Sequence, residues 1–162
     1  MNAIRVTLAV MKSNRIKVQH VVDRDDAEDP DVVTVNSADS PMETFRSAVD
    51  SLKIVAAQMC EVKNAAEWAR NIVLDRVEFA WKRENGTLSV GVKIKGRKPL
   101  AKSADPMPFE TSWKWELTPY TAEDAKAFCL TEKQVEAVLE IASEAGKYAK
   151  GQRAQMLLPM AG

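Results

Sequence analysis

His20 is the single histidine of this chain. Acid–base catalysis by histidine, a Ser-His or Cys-His nucleophile pair, or a histidine-based metal site would each have to run through it. It stands on the apolar side of an alternating segment, Ile16, Val18, His20, Val22, which predicts a structural role. Cys60 and Cys129 lie far apart, without the Cys-x-x-Cys spacing of a zinc site. Both fall in helix-like apolar segments and read as reduced, buried thiols. The six glycines are scattered and match neither a phosphate-binding loop nor a dinucleotide fingerprint. Asp23, Asp25, Asp26, Glu28, Asp29 and Asp31 form an oxygen-rich loop of the kind that can hold calcium or magnesium. The EF-hand pattern fails there. Ala27 takes the third ligand position, Glu28 the glycine position and Thr34 the closing glutamate position. The catalytic alternative is a small divalent-dependent hydrolase or nuclease built on this loop. The reading the residues favour is no enzyme, no metal and no cofactor, with the loop solvated or meeting a basic partner.

The basic counterpart is residues 81–103, with Arg76 on the same outer sheet face. Arg76, Lys82, Lys93, Lys95, Arg97 and Lys98, with Arg83 and Lys102 nearby, form a candidate face for nucleic acid or a protein partner. A basic sheet face can follow a phosphate backbone. Binders of single strands also set aromatic rings among the charges as stacking platforms. Trp81, Trp113 and Trp115 are the candidates, and alternation predicts all three on the opposite, apolar side. Direct nucleic-acid binding is therefore the second reading and binding of a protein partner the first.

These residues must be positioned by a sheet. Asn85-Gly86 is a strong turn signal, because a type I′ turn needs positive φ at both central residues. A two-residue loop there pairs Trp81 with Val90, Phe79 with Val92 and Val77 with Ile94, all on one side. The other side carries Arg76, Glu78, Ala80 and Lys82 against Ser89, Gly91, Lys93 and Lys95. An earlier hairpin alternates Ile4, Val6, Leu8, Val10 and then Ile16, Val18, His20, Val22 around Lys12–Arg15. If each set keeps one face, Val10 pairs with Ile16, Leu8 with Val18 and Val6 with His20, through an odd-numbered loop. A short strand follows at Val32–Val35. Ser40-Pro41-Met42-Glu43 reads as a capping box with proline at the first helical position. It opens a helix with Met42, Phe45, Val49, Leu52, Ala56 and Met59 on one stripe, ending near Val62. Residues 97–110 read as a loop, and 111–117 as a strand, with Lys114 a possible addition to the basic face. Thr121 caps a short helix through Phe128. Thr131 with Gln134 opens a last helix to about Tyr148. Runs of strands and helices, rather than strict alternation, predict an α+β fold. The sheet should be largely antiparallel, with one face covered by the long central helix and the C-terminal helix. The domain spans 1–150, and 151–162 reads as a flexible tail.

The chain has 162 residues, 46% hydrophobic and 28% charged, with zero formal net charge. Those values fit one globular domain and supply no global field for nucleic acid or anionic membrane. No stretch of about 18 apolar residues and no basic–apolar–small leader occurs, which predicts a soluble chain kept in a reducing cytoplasm.

The segment Arg24-Asp25-Asp26-Ala27-Glu28-Asp29-Pro30 through Ser40 and Phe45-Arg46 resembles small uncharacterised accessory proteins of tailed bacteriophages. So does the layout of N-terminal hairpin, capped helix and a Tyr-x-x-Gly-x-Arg-Ala-Gln stretch, Tyr148 to Gln155. The resemblance implies an accessory protein in the host cytoplasm, encoded among genes for DNA metabolism and host takeover. It would bind a host or phage protein that handles nucleic acid, such as a bacterial defence or replication complex. It supplies no catalytic residues. Gln155-Met156-Leu157-Leu158-Pro159 resembles the short peptide that docks on the bacterial sliding clamp, with Pro159 in place of the usual terminal aromatic. The charge asymmetry between the acidic loop and the basic hairpin also allows a homodimer.

Overall fold

A computed structural model describes residues 4–23 and 29–154. The elements run β1 (Ile4–Lys12), β2 (Arg15–Val22), β3 (Asp31–Ser37), α1 (Glu43–Met59), α2 (Ala65–Arg70), β4 (Val73–Glu84), β5 (Thr87–Lys98), β6 (Met107–Glu110), β7 (Lys114–Trp115) and α3 (Glu132–Ala149), with a 3₁₀ turn at Glu123–Phe128 before α3. The seven strands form one sheet of order β3-β2-β1-β4-β5-β6, with β7 also on β5. All pairings among these named strands are antiparallel. The fold is α+β, as the alternation and helix stripes predict.

The β4–β5 hairpin forms in the predicted register. Trp81 faces Val90, Phe79 faces Val92 and Val77 faces Ile94. Asn85 and Gly86 both take positive φ, 48° and 81°, the requirement of the type I′ turn. The pairing runs beyond the predicted span, from Val73 opposite Arg97, past an extra residue at Asp75.

The first hairpin differs from expectation. Ser13 and Asn14, at φ 57° and 59°, make a two-residue loop, so Met11 faces Ile16 and Ala9 faces Val18. The odd-numbered loop and the pairs Val10–Ile16 and Leu8–Val18 do not occur. A bulge at Thr7 restores the expected Val6–His20 pair. The physical consequence is a change of face within one strand. Val6 enters the core on one side of the bulge and Ala9 and Met11 on the other. Leu8 and Val10 turn to the outer side, opposite Glu78 and Arg76. The Trp81 indole N–H donates to the Val6 carbonyl oxygen beside the bulge at 2.8 Å.

Helices α1 and α3 lie antiparallel on the inner sheet face. Gln134 donates to Gln58 at one end of the pair (2.9 Å), and Thr44 donates to Glu144 at the other (2.9 Å). Phe45, Leu52, Val55, Val138, Ile141 and Tyr148 are buried against Val18, Val77, Val90, Val92 and Ile94. The Thr131–Gln134 capping box forms as predicted, with both reciprocal bonds. The Ser40 box does not. Helix α1 starts at Glu43 with Met42 as its uncapped N-cap. The Ser40 carbonyl instead accepts from Ala154 N–H at 2.9 Å, which ties that stretch to the chain end. The tail expected from Gly151 thus begins held. Arg153 also reaches Asp39 (2.7 Å) and stacks its guanidinium over Tyr148. Gln155–Pro159 lies outside the described residues.

The stretch expected as a loop at 97–110 contains the end of β5 and the strand β6. The strand expected over 111–117 narrows to Lys114–Trp115. Thr111 still joins β5, its N–H donating to the Ile94 carbonyl and its hydroxyl accepting from Ile94 N–H, both at 2.9 Å. Helix α2 and its Trp68, packed on Phe109 with ring centroids 5.0 Å apart, had no signal in the sequence reading.

Candidate functional site

Both long helices lie on the inner side of the sheet, so its outer face is where the predicted basic residues emerge. The β4–β5 register sets Arg76 opposite Lys95, Glu78 opposite Lys93, Ala80 opposite Gly91 and Lys82 opposite Ser89. These chains do not form an unbroken positive field. Lys93 binds Glu110 of β6 at 2.7 Å, with Lys95 at 3.8 Å on the same carboxylate. Arg76 meets Glu78 at 3.3 Å, and Lys82 meets Glu84 at 3.7 Å. Arg97 holds Asp75 through two bonds, 2.8 and 3.0 Å. Lys93 beside Glu110 keeps that carboxyl below its ordinary pKa, and Glu110 raises that of Lys93. Lys98 lines a separate shallow cleft with Asn64, Glu67 and Trp68. Lys114, opposite Val92, projects to the other side of β5 and does not join this face.

The tryptophans contradict the sequence reading. Trp81 does belong to the inner side, packed on the core. Trp113 and Trp115 do not. Trp115 pairs with Gly91, whose place between Ser89 and Lys93 puts it on the outer face. A Cβ on Gly91 would lie 2.7 Å from the Trp115 ring, so the indole covers the glycine directly. Trp113 stacks on Trp115 with centroids 6.4 Å apart and planes 27° apart. The two remain 42% and 36% exposed. The reason is the return path of the chain. Residues after β6 come back along the free edge of β5, with one extra residue between the Thr111–Ile94 contact and the Lys114–Val92 pair. That residue shifts the alternation and turns the tryptophans outward. A stacked, exposed aromatic pair therefore shares the outer face with Lys93 and Lys95.

Of the acidic loop, Asp23, Asp29 and Asp31 are described, while Asp25, Asp26 and Glu28 lie outside the described residues. Asp23 is clamped by the Arg5 guanidinium through both carboxylate oxygens. That bond holds its carboxyl below the ordinary value, and Arg83 adds to the effect. Asp23 therefore adjoins the basic hairpin at the sheet end carrying the Asn85-Gly86 turn. Among the described residues, no three of His, Cys, Asp and Glu converge as metal ligands. His20 is buried in the core side of β2, with its Nδ1 unpartnered. Burial, then Lys150, pushes its pKa down. Cys60 and Cys129 are free thiols, half-buried rather than buried, and burial pushes Cys60 up.

A cleft without a signal in the sequence lies at the opposite end of the sheet. It runs from the Ser13-Asn14 turn, past the start of α1, onto the outer face near Asp75.

No family model matches the chain, and no match is found among curated proteins or solved structures. Among the described residues, no helix is long and apolar enough to cross a membrane.

Proposed function

We propose that the protein acts by binding rather than chemistry, and that its ligand is single-stranded nucleic acid held on the outer sheet face. One observation carries the reading: the exposed Trp113–Trp115 stack sits on the same face as Lys93, Lys95 and Arg76. Stacking on aromatic rings contributes about 1–3 kcal/mol per base and tolerates any base. Neighbouring cations follow the phosphates, so affinity should fall steeply with salt. Fluorescence anisotropy of a labelled oligo-dT and oligo-rU across a salt series tests this. Nanomolar to micromolar binding that weakens steeply with salt supports it. Absence of binding at low salt overturns it.

A second reading is a protein partner, such as a host or phage complex that handles nucleic acid, met in the host cytoplasm by a phage-type accessory protein. The supporting observation is the run of exposed apolar residues Trp113, Trp115, Leu117, Tyr120 and Phe128, the last 74% exposed. Exposed aromatic side chains are common anchors of protein interfaces. The carboxylates Glu78 and Glu110, set among the cations, also suit a polar protein interface. Pull-down from bacterial lysate with and without nuclease separates the two. A stoichiometric partner surviving nuclease favours this reading, and loss of all captured material on nuclease treatment favours the first.

A further inference from the structure

Two clefts, of about 510 and 660 Å³, share Lys12 and Arg97 as walls. The first is formed by the Ser13-Asn14 turn, the Asp39–Pro41 segment and the first turn of α1, and it brings Arg15 and Arg46 to Lys12 and Arg97. The second lies on the outer face around the Asp75 bulge and adds Arg76 and Lys95. Together, six cations line the path against three carboxylates, Asp39, Asp75 and Glu110. Asp39 is engaged by Arg153 and Glu110 by Lys93, neither of them among the six, while Arg97 is held by Asp75 and Arg76 by Glu78. The path therefore keeps a surplus of positive charge in a concave site, where field lines concentrate and attract anions.

Its course matters as much as its charge. It ends on β5 at Lys95, two residues from Lys93 and four from Gly91, over which Trp115 lies. At about 3.3 Å per residue, the cationic path and the aromatic stack are about 13 Å apart along one strand. We propose that this groove carries the phosphodiester backbone of the strand whose bases stack on Trp113 and Trp115. The inference rests on the nucleic-acid reading and assigns Lys12, Arg15 and Arg46, none of them in the basic hairpin, to the same site. Guanidinium groups suit this task, since their fixed donors match phosphate oxygens in pairs.

The test uses the full chain and the double variant Arg15→Glu/Arg46→Glu. Both side chains are exposed, and Arg15→Gln/Arg46→Gln serves as a milder second variant. Circular dichroism checks folding of each. Anisotropy with oligo-dT is measured over a salt series, and thermal shift with inorganic tripolyphosphate runs alongside. Loss of two phosphate contacts should reduce the slope of log affinity against log salt by about 1.4. The Trp113→Ala variant should lose affinity and keep the slope. An unchanged slope and affinity in both groove variants would overturn the groove while leaving nucleic-acid binding on the tryptophan face in place. If the wild-type chain binds no oligo-dT, the nucleic-acid reading fails. In that case a tripolyphosphate shift lost in the variants still supports an anion groove, and the absence of any shift overturns it.

Discussion

The indole of Trp115 lies over Gly91, where a side chain would strike it. A Cβ there would stand 2.7 Å from two ring atoms and 2.9 Å from a third. The missing side chain is thus what lets an edge tryptophan lie across the outer face of the sheet and receive Trp113 on top. Gly91→Ala should displace the indole, at a net cost of about 1–3 kcal/mol, and break the stack. Urea unfolding followed by tryptophan fluorescence measures the cost. Oligonucleotide affinity should fall in the same variant if the stack is the platform.

Trp113→Ala tests the platform with little structural cost. The ring is exposed and its neighbour is Trp115, so stability should move by less than about 0.5 kcal/mol. Affinity for oligo-dT should fall by about 1–3 kcal/mol, roughly 5- to 150-fold. Equal affinity in wild type and variant would remove the tryptophans from the site.

Trp81 does different work. Its N–H satisfies the Val6 carbonyl at the bulge, where the face of β1 changes. Trp81→Phe keeps most of the apolar contact and leaves that carbonyl without its donor. The expected cost is about 1–3 kcal/mol, read as a lower urea midpoint with an unchanged m-value. A variant as stable as wild type would show that water replaces the indole at no cost.

His20 makes stability depend on pH. Its pKa is lowered in the folded chain by burial and by Lys150, so below about pH 6.5 the unfolded chain binds more protons than the folded one. Stability is therefore full above that pH and falls as pH drops through 6.5 towards the folded value. The paired carboxylates Asp23, Asp39 and Glu110 have lowered pKa values and act in a more acidic window. His20→Gln should flatten the melting-temperature profile between pH 7 and 5 relative to wild type. Parallel profiles would mean that His20 does not govern this range.

The features legible in the sequence are those decided by near neighbours. The β4–β5 register followed from Asn85-Gly86 and the flanking alternation, because a turn that demands positive φ at two adjacent residues admits one pairing. The Thr131–Gln134 box and the stripe of α1 followed from spacings within two helical turns. Ser13-Asn14 makes the same kind of turn without a glycine to announce it, and the Thr7 bulge leaves no mark on the pattern, so alternation alone puts half of β1 on the wrong face. Ser40 carried a capping signal, yet its backbone is committed to Ala154, more than a hundred residues away. Only the tertiary structure decided which residues the proposed site brings together. One extra residue between two edge contacts turned Trp113 and Trp115 outward, and chain folding brought Arg15, Arg46 and Arg97 to one groove. Local sequence sets backbone preferences and alternation. Which face an alternating segment presents, and which distant cations become neighbours, depends on where the chain meets itself, and that is a property of long-range pairing.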